Sequence, residues 1–207
     1  MNLKELTSEN KSTLLRTILI FALILLAAAL RVAPHPWNFT PVGAIALFSG
    51  AMVRDRRLAF PFPVLVMLVT DAIIGFNKLS PLVYASFLLS VQIGRVVVGA
   101  RFSVSQRAKR ESQSDLANAR TRTLPRVAAA TFFGSLQFFL ITNFGVWAFL
   151  NTYPRTAAGL AACYLAGVPL FWNTLAGDTV YTALLFGAFF LAERLAPRLR
   201  LYPVPNR

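Results

Sequence analysis

The sequence predicts an all-α, polytopic membrane helical bundle of six transmembrane helices plus one short interfacial or re-entrant helix. Three observations predict it. Hydrophobic residues make up 56% of the 207 residues and charged residues only 14%, against roughly 25% in a soluble domain. That leaves too few charges to coat a globule of this size. Apolar runs recur at lengths close to the about 20 helical residues that cross a bilayer core. The charge is also lopsided: 21 Lys and Arg stand against 8 Asp and Glu, a net +13. A basic chain can bind nucleic acid, but 18 Phe and long aliphatic runs do not suit that partner. The expected surroundings are a lipid bilayer.

Residues 1–13 read as a polar tail. Leu14 to Val32 is almost purely aliphatic and reads as the first span. The long lead with Glu5 and Glu9 argues against a cleaved leader. A proline-punctuated loop follows, Pro34-His35-Pro36-Trp37-Asn38-Phe39-Thr40-Pro41. Pro41 suits a helix start and opens a short second span to Val53. That span is rich in small residues (Gly43, Ala44, Ala46, Ser49, Gly50, Ala51), so it must pack closely against other helices. Arg54 to Arg57 is a charged turn. The third span is Leu58 to Phe76, with Asp71 inside it, and the fourth is Pro81 to Ala100, with Gln92 and Arg95. Residues 101–124 form a basic, Ser-rich connector, and Arg126 to Leu150 is the fifth span. Thr156 to Phe171 is apolar but short and holds Pro169, so it is expected to lie at the interface or re-enter. Asn173 to Leu195 is the sixth span. Residues 14–196 then form one six-helix domain, and 197–207 a basic tail.

Charge orients this layout. With a cytoplasmic N-terminus and six spans, Lys and Arg fall on the cytoplasmic side except Arg31, Lys78 and Arg155 outside and Arg95 within a span. Such a bias is the positive-inside rule. It places the chain in a bacterial cytoplasmic (inner) membrane with both termini and the 101–124 connector cytoplasmic. A seventh span would put the Arg-rich tail outside.

Several chemistries are excluded. The single Cys163 rules out a disulfide framework and CxxC motifs, and the single His35 rules out HExxH. Neither GxxxxGK[ST] nor GxGxxG occurs. No catalytic residue, metal or cofactor is expected, and the chain is not expected to be an enzyme.

Ionisable groups within spans are costly and point to function. Counted along the spans, Asp71 and Asp178 each lie about five residues from an outer end. Asn143 and Asn173 face the same side, as do Asn38 and Thr40 in the first loop and the aromatics Trp37, Trp147, Trp172 and Tyr153. The expected binding residues are therefore Trp37, Asn38, Thr40, Asp71, Asn143, Trp147, Tyr153, Asn173 and Asp178. Structural roles compete at each position. The tryptophans suit an interfacial belt, the Asn residues suit helix–helix hydrogen bonds, and the acids suit ion pairs with Lys78, Arg155 or a polar group within a span.

The stretches Pro34 to Ala44, Thr142-Asn143-Phe144-Gly145-Val146-Trp147, Tyr153-Pro154-Arg155-Thr156 and Asn173-Thr174-Leu175-Ala176-Gly177-Asp178 resemble a family of uncharacterised bacterial membrane proteins. That family in turn resembles the substrate-binding S components of energy-coupling-factor (ECF) vitamin transporters. The resemblance covers most of residues 14–195. It implies an S-component-like bundle with a pocket near the outer face. It also implies a transmembrane coupling subunit and ATPase subunits on separate chains, docked through small residues on the first helix. This sequence departs from that pattern, since Ala22 in the first span forms no small-xxx-small pair, whereas Ala46 and Gly50 in the second fit one. The expected function is capture of a small, vitamin-like solute from outside by an importer's membrane component. The alternatives are an integral membrane protein that assembles or stabilises a partner complex, and an intramembrane enzyme using Asp71 and Asp178 as an acid–base pair.

Overall fold

The computed structural model describes residues 3–32, 34, 36–53, 55–99 and 123–195. The described residues are helical or lie in turns and short loops, with no strand among them. Helix α1 is Leu3–Val32, α2 Val42–Met52, α3 Arg56–Ala59, α4 Pro61–Ile74 and α5 Ser80–Ile93, which runs on into a π-helical segment Gly94–Gly99. Helix α6 is Leu124–Phe149 and α7 is Ala157–Leu195. Local chemistry sets several boundaries. Asp55 Oδ1 accepts the Arg57 N–H at 2.8 Å and caps α3. Prolines sit in the first turns of α4, α5 and α6, where their missing N–H costs nothing. Gly75 ends α4 at φ 113, a conformation open to glycine.

Five stretches are long and apolar enough to cross a bilayer: Thr13–Val32, Arg56–Ile74, Ser80–Gly99, Leu124–Phe149 and Ala157–Ala192. Large apolar side chains such as Leu26, Ile73, Phe149, Leu165 and Leu184 point outward. This is the surface of a multi-pass membrane protein, apolar on the outside where lipid replaces water.

Contacts along the helices fix their directions. Phe21 meets Phe62 and Arg31 meets Asp71, so α1 and α4 run parallel. Gly145 lies against Leu79 and Leu82, and Gly134 near Ser90, so α5 and α6 run antiparallel. Asn143 meets Gly167 and Ser135 meets Asp178, so α6 and α7 are antiparallel too. Gly43 lies at Asp178 while Phe48 meets Phe186 and Phe189, so α2 runs with α7. Helices α1, α4 and α6 thus share one direction, and α2, α5 and α7 the other.

The centre of the bundle is α2. Its residues Val42 and Ala44 to Met52 are all buried, among α1, α4, α5, α6 and α7. Small residues permit this. A Cβ at Gly50 would overlap the Val91 carbonyl oxygen, and one at Gly94 would overlap the Leu47 carbonyl oxygen. Backbones approach this closely only where side chains are small, as the composition of the second span predicts. Eleven residues rise only about 16 Å at 1.5 Å each, so α2 covers about half of a 30 Å bilayer core.

Two expectations change. Thr156 to Phe171 is not a separate interfacial helix; it is the first part of α7, which continues through Pro169. The segment is fastened along α6. The Cys163 thiol donates to the Asn143 carbonyl at 3.3 Å, the Tyr164 hydroxyl donates to the Leu140 carbonyl at 2.8 Å, and Phe139 packs on Tyr164 and Phe171. That anchoring on both sides of Pro169 outweighs its one missing helix bond. Helix α1 starts at Leu3, within the stretch expected as a tail, and the Ala46–Gly50 pair is buried inside the bundle. His35, Arg54, the C-terminal tail and the expected connector up to residue 122 lie outside the described residues.

The Gly50 contact gives a direct test. Gly50→Ala forces α2 from α5 and should cost about 1–3 kcal/mol, seen as a lower thermal midpoint in detergent. Gly187→Ala meets nothing within 4 Å and should be neutral or stabilising by up to about 1 kcal/mol. Equal midpoints for the two variants would refute this account of α2 packing.

Candidate functional site

Asp178 is buried on α7. Its Oδ2 accepts a hydrogen bond from the Ser135 hydroxyl on α6 at 2.7 Å, and the carboxylate also accepts the backbone N–H of Ala44, in the first turn of α2. Gly43 makes this possible, because a Cβ there would overlap the carboxylate. A helix N-terminus carries unsatisfied N–H groups and partial positive charge, so α2 provides a seat for an anion. Among the described residues no Lys or Arg forms an ion pair with Asp178. At the other end of α2, the Arg95 guanidinium donates to the Val53 carbonyl at 3.2 Å.

Asp178 lies deeper than the sequence suggests, because α7 begins at Ala157 and not near Asn173. Its partner Ser135 is near the middle of Leu124–Phe149, and the neighbouring Ser90 is midway along Ser80–Gly99. Ser90 is about 15 Å of helix from Ser80 at 1.5 Å per residue, half of a 30 Å core. The carboxylate is therefore at mid-depth.

Around it runs a buried polar seam. Ser86 and Ser90 on α5, Thr131 and Ser135 on α6, and Thr174 and Thr182 on α7 are all buried. Gln137 ties α6 to α5, donating to Ser90 Oγ at 2.8 Å and accepting from Ser86 Oγ at 3.1 Å. Gly43, Leu47, Ser90, Thr131, Gly134, Asp178 and Thr182 line a cavity of about 10 Å³, the room of a single water. Sequence reasoning missed these hydroxyls. Their signal was the spacing of four: 86/90, 131/135 and 174/178/182 each mark one face of a helix.

The other expected residues fall into separate groups. Asp71 is buried between α1, α4 and α5. Arg31 Nη2 pairs with its Oδ1 at 2.5 Å, and the Tyr84 hydroxyl donates to its Oδ2 at 2.6 Å. Arg31 also donates to Thr70 Oγ1. Asp71 thus takes the ion-pair role, with Arg31 as partner and neither Lys78 nor Arg155. It shares no partner with Asp178. Asn143 bonds within α6, its Nδ2 donating to the Phe139 carbonyl at 2.9 Å. Trp147 Nε1 donates to the Pro154 carbonyl at 2.9 Å, with Arg155 over its ring and Tyr153 half-buried in the same turn.

The first loop comes closest to Asp178. Asn173 Nδ2 donates to the Trp37 carbonyl at 3.0 Å, the Phe39 ring lies 5.6 Å from that of Tyr181, and Gly177 touches the backbone of Phe39 and Thr40. Asn38, at φ 61, turns the chain. The Trp37 side chain is 83% exposed.

The Arg31–Asp71 pair carries its own prediction. Removing one member strands a buried charge, so Arg31→Gln or Asp71→Asn should each cost about 3–5 kcal/mol. The double variant Arg31→Met/Asp71→Leu should lose less than either single variant. Unfolding in detergent measures all three, and additive losses would contradict a coupled pair.

No curated protein and no solved structure matches the chain, so neither comparison supports the resemblance to ECF S components. A family description does match, across residues 11–199, a range that includes all seven described helices but for the first residues of α1. The chain belongs to that family, the family of unknown function DUF6580.

Proposed function

We propose that the protein is the membrane-embedded binding component of a small-molecule importer, as in the S-component resemblance, taking up a vitamin-like solute from the outer face without an ATPase of its own. One observation carries this reading: a carboxylate without an ion-pair partner among the described residues is held at mid-depth, at the N-terminus of a helix that covers only half the bilayer. Such interrupted helices ending at the midplane are how carriers bring backbone dipoles and polar side chains to a solute. An unpaired acid there is expensive and is retained for use.

Residues 36–41 act as the lid. They lie along α7 between Asn173 and Tyr181, and the cavity behind them holds only a water-sized group. Solute entry requires that this loop leave α7. Trp37, Asn38, Thr40 and Asn173 belong to the lid and its seat, and Trp147, Tyr153 and Asn143 to the outer end of the α6–α7 pair. Asp71 holds the outer ends of α1, α4 and α5 together. A coupling subunit and ATPase subunits are separate chains in this reading.

Six membrane crossings with both termini cytoplasmic complete the proposal, α2 and the loop before it forming the second. Single cysteines introduced at Lys78 and Arg155 should react with a membrane-impermeant maleimide in intact cells, while one at Ser112 should react only after lysis. The reverse pattern would invert the bundle.

Uptake tests the function. Cells making the protein should accumulate at least one member of a panel of labelled water-soluble vitamins, and Asp178→Asn should reduce that uptake about tenfold or more, the scale of a lost charged contact. Uptake equal to that of cells lacking the protein, across the panel, would reject the importer. A membrane partner co-purifying in fixed ratio would then favour an assembly role.

A further inference from the structure

The small cavity behind α2 has a property that solute capture does not require. Thr182 is 3% exposed, it lines the cavity, and its Oγ1 has no hydrogen-bond partner among the described residues. A buried hydroxyl without a partner costs about 1–3 kcal/mol, so its presence points to a ligand. The neighbouring groups share its chemistry. Thr131 Oγ1 donates to the Val127 carbonyl at 2.8 Å, and Ser90 Oγ donates to the Ser86 carbonyl at 3.4 Å while accepting from Gln137. Each hydroxyl proton points away along its own helix, leaving oxygen lone pairs available to the cavity. Asp178 adds a carboxylate.

We propose that this cavity is a binding site for one monovalent hard cation of sodium size, held by the Asp178 carboxylate and the hydroxyl oxygens of Thr182, Thr131 and Ser90. The donor set consists of oxygens, as hard cations prefer. Among the described residues no group of three His, Cys, Asp or Glu comes together to hold a metal, and Asp178 is the one acid lining this cavity. One negative charge at mid-depth is neutralised by one positive charge, and a divalent ion would leave an excess. The volume of about 10 Å³ admits an ion stripped of its water, not a hydrated one. Bound there, the ion ties α5, α6 and α7 together behind the N-terminus of α2.

The site is independent of any organic solute, so its test needs none. The purified protein in detergent is unfolded thermally in NaCl, KCl and choline chloride at matched ionic strength. The midpoint should rise with Na⁺ concentration, as for any ligand that binds only the folded state, and should rise less with K⁺ and not at all with choline. Asp178→Asn should abolish the Na⁺ response. Thr182→Val, which removes the unpartnered hydroxyl and keeps the shape of the side chain, should raise the choline midpoint and shift the Na⁺ response to higher concentration; this variant decides the matter if Asp178→Asn does not fold. Coincident midpoints in the three salts would overturn the proposal. So would a Na⁺ response equalled by K⁺, or one unchanged in Thr182→Val. A failed vitamin-uptake assay leaves these outcomes unaffected, and a failed salt response leaves uptake to be judged by itself.

Discussion

The rest of the bundle is arranged around the need to satisfy the two ends of α2. A helix buried in a bilayer can keep its interior hydrogen bonds, but its terminal N–H and C=O groups find no water. Long helices place those groups in the headgroup region. Helix α2 is too short to do so at both ends. Its N-terminus receives a carboxylate from α7, and its C-terminus receives a guanidinium from the π-helical continuation of α5. Both charges have the sign that the helix dipole favours. Three helices are thereby placed in register by electrostatics, and the glycine contacts at Gly43, Gly50 and Gly94 set how close they come.

A second polar group does comparable work at the outer end. Arg31 stands near the end of α1. Asp71, Thr70 and Tyr84 supply donors and acceptors from α4 and α5. The pair neutralises two charges that would each be expensive alone. The two acids of the membrane region thus differ in kind. Asp71 is matched by a cation and a phenol. Asp178 is matched by dipoles only, a helix terminus and a hydroxyl.

Much of this was legible in the sequence and part of it was not. Spans one, three, four and five match within about two residues the apolar stretches long enough to cross a bilayer, because lipid thickness fixes both length and composition. The close packing of the second span followed from its small residues. The division of α7 at Pro169 did not hold, since a proline breaks an isolated helix but not one fastened to a neighbour on both sides of it. That error moved Asp178 from mid-depth to the outer half. The partner of Asp71 was legible only as a class, because Arg31 is 40 residues away in the chain and no local rule joins them. The polar seam was present as pairs four residues apart. It was missed because polar residues were sorted by depth along each helix and not by the face they share.

The arrangement at Asp178 leaves capacity for a ligand. An ionised carboxylate offers about four lone-pair sites. Ser135 and the Ala44 N–H occupy two. Cavity walls of Ser90, Thr131 and Thr182 surround the remainder. Were the acid only a cap for α2, a serine or threonine would satisfy the N–H without placing a charge at mid-depth. Were it only a charge for a ligand, it would not need Gly43 to clear its approach to the helix. The two roles reinforce one another. The helix terminus holds the carboxylate in a fixed orientation, and a small cavity beside it is bordered by the hydroxyl-bearing residues Ser90, Thr131 and Thr182.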